Sequence, residues 1–251
     1  MVNSKTLSLG ALFATVGSVI AQSAPGFPIS NVQATLGVSF GSNVVSPAGE
    51  LIPRGDTANP PNLTTPVFNT AGRAILLMVD SDVPRNGSRI ELLHWLATNV
   101  TLSNSTAINN QTALVVPGNP EAPYRQPSPP VGDIPHAYTF LLFVQPLGFR
   151  FPEAFTGVLQ SRVPFNTTAF VAAANLSTPL AANYIRVQNL TGTPTTTTFP
   201  PARPTSGSGN NGTSSPTPFP GAAPALVVGG GALFWGGLAA SVVAGVAAFA
   251  L

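Results

Sequence analysis

No cysteine occurs in the 251 residues, which excludes a disulfide framework and thiolate chemistry. Charge is nearly as scarce. Asp, Glu, Lys and Arg make up 7% of the chain, eight acids against ten bases. The bases stand singly, with no run and no aromatic interleaving, so the footprint of a nucleic-acid-binding surface is missing. Histidine is limited to His94 and His136. A Ser-His-Asp hydrolase also needs a serine on a sharp turn, and no G-x-S-x-G is present. The two histidines with Asp80 or Asp82 would make a two-His, one-carboxylate metal set. No H-x-D or H-E-x-x-H spacing accompanies them, and neither a metal nor another cofactor is expected. Asp80 and Asp82 at a strand exit diverge, which argues against a paired-carboxylate glycosidase. No catalytic residue is assigned.

The two ends of the chain have their own composition. Residues 1–21 carry one positive charge (Lys5), an uncharged run Leu7–Ile20 and small residues before the end of Val19-Ile20-Ala21, the layout of a secretory signal. Nine N-x-S/T sequons follow, at Asn62, Asn86, Asn99, Asn104, Asn110, Asn166, Asn175, Asn189 and Asn211, so glycans are expected to supply the solubility that charge does not. Residues 191–224 are Thr, Pro, Ser, Gly and Asn with one charge, Arg203. They read as a disordered, O-glycosylated stalk. Ala225–Leu251 is uncharged to the last residue, with no Lys or Arg after it as a cytoplasmic stop. Small residues around Asn211, a polar spacer and this tail match a GPI-attachment signal, with Asn211 as the expected anchor site. The expected location is the outer face of the plasma membrane or a cell wall, reached through the secretory pathway.

Between these ends, 22–190 is long enough for one ordinary core. Ala74–Val79 is an unbroken apolar run, read as a strand buried on both faces. It exits into Asp80-Ser81-Asp82-Val83-Pro84, turns at Arg85-Asn86-Gly87-Ser88 and returns along Glu91–Asn99. Alternation there puts Leu92, His94, Leu96 and Thr98 on one face and Leu93, Trp95 and Ala97 on the other. Val32–Phe40 alternates as a half-buried strand, and Pro66–Phe68 reads as a short one. Val115–Pro130 holds seven Pro or Gly in sixteen residues, a pinned loop. Ala137–Val144 is a further strand, with His136, Tyr138, Phe140 and Leu142 on one face. Asn166 caps a short helix through Thr167–Asn175, and Ala182–Val187 closes the domain as a strand. His136 and Tyr138 point the same way, and His94 can meet them from a neighbouring strand. Such donors suit a phosphate or carboxylate oxygen, with Asp80 orienting a histidine. An Asx-type turn beside ordinary core histidines fits the same pattern.

Taken together, these residues resemble the phosphatidylethanolamine-binding protein family, also called the Raf-kinase-inhibitor family. Asp80-Ser81-Asp82-Val83-Pro84 followed by a strand with His94 is similar to its D-P-D-x-P signature. Pro129-Pro130-Val131-Gly132, then His136-Ala137-Tyr138 through Gln145, is similar to its Pro/Gly loop and H-x-Y strand. The likeness covers roughly Ala34–Asn189. Three positions depart from it: Leu92 stands for an aromatic, Ser128 for a glycine, and Ala137 for a basic residue. The resemblance implies a mostly β fold, a large antiparallel sheet packed with a smaller sheet, plus short peripheral helices. It also implies a pocket for phosphate groups, including phospholipid headgroups, formed by Asp80, Pro84, His94, Pro130, His136 and Tyr138, with Asp82 structural. The expected function is a non-catalytic cell-surface protein binding a small anionic ligand and held to the membrane by a lipid anchor. Two alternatives stay open: an inhibitor of a secreted, carboxypeptidase-type peptidase or other interaction module, and a structural wall glycoprotein with a vestigial pocket.

Overall fold

The computed structural model describes residues 22–30, 32, 34–66, 72–104, 111–193 and 197–204, all within the compact unit Met1–Gly207. The signal segment, Asn110, Asn211, most of the stalk and the apolar tail lie outside the described residues, as do 67–71, so Pro66–Phe68 is not assessed. Among the described residues no helix is long and apolar enough to cross a membrane.

Ten strands follow in order: β1 (Ala34–Thr35), β2 (Gly37–Phe40), β3 (Asn43–Val44), β4 (Glu50–Leu51), β5 (Asn62–Thr65), β6 (Ala74–Arg85), β7 (Ser88–Leu102), β8 (Thr112–Val115), β9 (His136–Val144) and β10 (Ala181–Val187). Two short helices, α1 (Val158–Ser161) and α2 (Thr167–Ala173), precede β10. The strands hydrogen-bond in the order β1-β10-β9-β6-β7-β8-β5-β2-β3, with β4 also on β10. The expected larger and smaller sheets are both present, but β8 pairs with β7 and β5 at once, which joins them into one curled sheet. The sheet is mixed rather than purely antiparallel, because β1 and β4 run parallel to β10. Long connections separate them from β10 in sequence, so no hairpin dictates their direction.

The apolar run of β6 is fully buried on both faces, as its sequence requires. Leu76 and Met78 join Leu36, Val38, Phe40, Trp95, Tyr138 and Phe140 in the core enclosed by the curl. Ile75, Leu77 and Val79 meet Leu93, Leu96, Leu141, Phe165 and Phe170 on the other side, under α2. Each such side chain contributes roughly 1.5–3 kcal/mol on burial. The Asn166 side chain caps α2 by accepting from the Ala169 N–H at 2.9 Å. The Asn86-Gly87 turn takes positive φ at both residues (49° and 75°), the geometry of a two-residue hairpin loop.

Three sequence expectations are corrected. Val32–Phe40 is two strands rather than one, because the chain leaves β10 for β5 at Leu36, whose N–H bonds the Ala182 carbonyl at 2.9 Å. Asp80–Pro84 does not leave the sheet. β6 runs on to Arg85, with an irregularity between Asp80 and Val83. The faces of β7 are also reassigned. Met78 pairs with Trp95 but Val79 pairs with Leu93, so β7 has one residue more than β6 at His94. That β-bulge returns Leu93 and Leu96 to the same core and places Trp95 and Ala97 in the other. Bulges of this kind re-aim single side chains beside functional sites.

Candidate functional site

At the end of the enclosed core, the central strand supplies Asp80, which is paired with Tyr138 of β9. The period of β9 puts His136 on the same face. The bulge in β7 turns His94 toward Tyr138, and their rings meet edge-on at 4.9 Å. The proline-rich loop closes over these side chains and is tied down from several directions. Ala122 exchanges two backbone bonds with Leu96, and the Arg125 N–H donates to the His94 carbonyl at 2.9 Å. Arg54 donates to Ser128 Oγ at 3.0 Å, and the Asn189 side chain donates to the Pro129 carbonyl at 3.1 Å. A cavity of about 200 Å³ remains, walled by Asp80, Pro84, His94, Pro130, His136 and Tyr138, with Val83, Leu92, Arg125, Gln126 and Ser128 completing it.

All six residues expected in the pocket therefore line one cavity, whereas Asp82 does not. Its Oδ2 accepts from the Ala137 N–H at 2.8 Å, fastening β9 to the irregularity in β6. Burial, with Asp80 alongside, raises the Asp82 carboxyl above the usual range despite that bond.

His136 is held at both nitrogens. Nδ1 lies 2.8 Å from Asp80 Oδ2 and Nε2 lies 3.0 Å from Asp133 Oδ2. Two carboxylate partners require both nitrogens to donate, which is the imidazolium form. Burial opposes that charge, but the bonds and charges of Asp80 and Asp133 outweigh it, and the pKa is raised. Asp133 in turn takes a two-pronged contact from Arg89, at 2.7 and 3.0 Å. Burial again opposes the charge, and Arg89 and His136 together hold Asp133 below the ordinary carboxylate value.

His94 is held differently. Its Nδ1 lies 2.8 Å from the Arg125 carbonyl and must donate to it. Nε2 is 4.0 Å from Asp80 Oδ2, beyond hydrogen-bond range. Burial dominates and lowers the His94 pKa, with Asp80 opposing only in part. Its neutral imidazole thus keeps one acceptor nitrogen uncommitted. The Tyr138 hydroxyl is also buried and makes no hydrogen bond of good geometry among the described residues, although Asp80 and the Ser128 backbone lie close enough to act on it. Burial and the Asp80 charge push this phenol well above its usual range, so it acts as a donor. The wall thus offers a phenol donor, a neutral imidazole with one free nitrogen, and the charge of Arg125.

The model of the family described as phosphatidylethanolamine-binding protein matches residues 41–199. The chain belongs to this family. Among its relatives, the phomoidride biosynthesis cluster protein N of Talaromyces stipitatus is 31% identical over 181 residues, covering 65% of this chain and 88% of the relative. A protein of the same name from another fungal species is 41% identical over 117 residues, or 45% of this chain. This chain spans only about half (52%) of that relative. A carboxypeptidase Y inhibitor, solved in complex with its cognate proteinase, aligns over 61% of this chain and 82% of its own at 23% identity and a TM-score of 0.49.

Sequence reasoning missed Arg89, Asp133 and Arg125. Asp133 lies three residues before His136, and an acid that close to a histidine in a loop was the available signal. Arg89 and Arg125 carry none, because their partners are 44 and 31 residues away.

Proposed function

We propose that this phosphatidylethanolamine-binding protein family member is a non-catalytic binding protein whose cavity takes a small anionic group, of the phosphate or phospholipid-headgroup kind. One observation carries the reading: the Tyr138 hydroxyl is buried at the cavity wall with no well-formed hydrogen bond among the described residues, against the ring of His94, which has an uncommitted nitrogen. A buried donor left unmatched costs about 1–3 kcal/mol, which an anionic oxygen would recover. At about 200 Å³ the cavity is smaller than the roughly 300–1,000 Å³ of sites for drug-sized ligands. It therefore suits a headgroup rather than a whole lipid. Ser128, the wall hydroxyl, accepts from Arg54, and among the described residues no hydrogen bond joins it to a histidine or a carboxylate. The sequence of the tail supports display outside the cell on a GPI anchor at or near Asn211, and phospholipase C release from intact cells tests that part.

Inorganic phosphate and phosphoethanolamine, titrated separately into the full chain, should give saturable shifts of the His94 imidazole resonances. Resonances flat to millimolar ligand would sink the reading. A second reading follows from the names of the two fungal relatives: the same cavity serves a biosynthetic step on an acidic metabolite. Turnover of such a compound, lost on His94→Gln, would favour it.

A further inference from the structure

Composition assigns 191–224 to a disordered stalk, yet residues 197–204 lie against the domain. Their anchor is Arg89, whose side chain is 2% exposed. A guanidinium has five N–H donors, and all five are placed. Nη1 donates to the Asp82 carbonyl at 2.6 Å and to Asp133 Oδ2 at 3.0 Å. Nη2 donates to Asp133 Oδ1 at 2.7 Å and to the Pro200 carbonyl at 2.6 Å. Nε donates to the Pro201 carbonyl at 3.0 Å. Two of the five acceptors thus belong to the strap.

The strap is fitted closely. Gly26, at φ +73°, sits where a Cβ would fall 2.7 Å from the Pro204 carbonyl oxygen, and Arg203 reaches back to the Arg89 carbonyl at 3.5 Å. Pro200, Pro201 and Pro204 have fixed φ, so their backbone presents carbonyls with little entropy to lose. The family match ends at residue 199, one residue before the first of these carbonyls.

We infer that residues 197–204 are a positioning element for the cavity: the Pro200 and Pro201 carbonyls fix Arg89, Arg89 orients Asp133, and Asp133 holds Nε2 of His136. The effect on ligand affinity rests on the binding reading above; the ordering of His136 does not.

The test compares the full chain with the same chain lacking 197–204, through the Arg89 Nε–H and the two His136 imidazole N–H signals in NMR and through inorganic phosphate affinity. In the deletion, the Arg89 Nε–H and His136 Nε2–H should exchange with water at least about tenfold faster, and phosphate affinity should fall about tenfold, the scale of one charge-assisted hydrogen bond. The His136 Nδ1–H on Asp80 should stay protected. Should the deletion fail to fold, the paired change Pro200→Gly with Pro201→Gly keeps both carbonyls, loosens their backbone and should shift the same signals less. An unaltered His136 Nε2–H in the variant that folds would overturn the inference. Failure of the full chain itself to bind phosphate would refute the binding reading, and the exchange rates would still decide the strap.

Discussion

The two walls of the cavity each carry one histidine and use it in opposite ways. On the β9 wall, His136 sits between Asp80 and Asp133, so both nitrogens donate and its pKa is raised. On the β7 wall, His94 stands on a bulge with one nitrogen on a backbone carbonyl, and burial lowers its pKa. Both rings are buried, yet their protonation is opposite. Two hydrogen-bonded carboxylates compensate a charge on His136, whereas a carbonyl and the more distant Asp80 do not offset burial at His94. His136 is a fixed part of the frame, and His94 is the group that responds to a ligand. This alters the choice of mutant. His136→Ala strips two buried carboxylates of a shared partner.

The largest effect should come from breaking the frame. Asp133→Asn leaves His136 and Arg89 mismatched in the interior, and urea unfolding should show a loss of about 3–5 kcal/mol. A loss under about 1 kcal/mol would mean that the β9 wall is no more a charge frame than the β7 wall. Next is His94→Gln, for which isothermal titration should show phosphate affinity at least about tenfold weaker, at a stability cost near 1 kcal/mol. Equal destabilisation by both variants would erase the contrast.

The pH dependences sharpen it further. His136, with its folded pKa raised, contributes stability that is fully present below its unfolded value of about 6.5. That contribution is lost as pH rises through the folded value. His94, with its folded pKa lowered, imposes a penalty that is full below the folded value and gone above about 6.5. An anion that draws a proton onto His94 should bind more tightly as pH falls toward the lowered pKa that His94 has in the free protein, and His94→Gln should flatten that slope. The smallest effect is expected at Asp82→Asn, which retains an acceptor for the Ala137 N–H; thermal unfolding should move by the equivalent of less than about 1 kcal/mol.

Much of the frame was legible because strand period and burial agree. His136, Tyr138, Phe140 and Leu142 share a face as alternation requires, and β6 is apolar on both sides because both sides are core. The Asn166 cap and the Asn86-Gly87 turn are local signals, and they were legible for the same reason. His94 lies where alternation put it, beside Leu92 on the cavity. The faces of Leu93, Leu96 and Trp95 defeated alternation, because a single inserted residue reverses every later assignment along a strand and no side-chain pattern marks where the insertion falls. The Arg89–Asp133 contact and the fit of Pro200–Pro204 depend on residues far apart in the chain. Proline-rich composition also reads alike whether a segment is free or docked.

Asp80, His136, Asp133 and Arg89 alternate in sign along a chain of contacts of 2.7–3.0 Å. With His136 protonated, their charges sum to zero, and such a row projects little field into the surrounding water. An approaching anion then meets the charges of Arg125 at the cavity wall and of Arg54 beside Ser128 and is held by short-range contacts inside. Association should accordingly depend only weakly on ionic strength, unlike capture by a groove lined with one sign of charge, whose pull collapses within about 10 Å at 0.1 M salt.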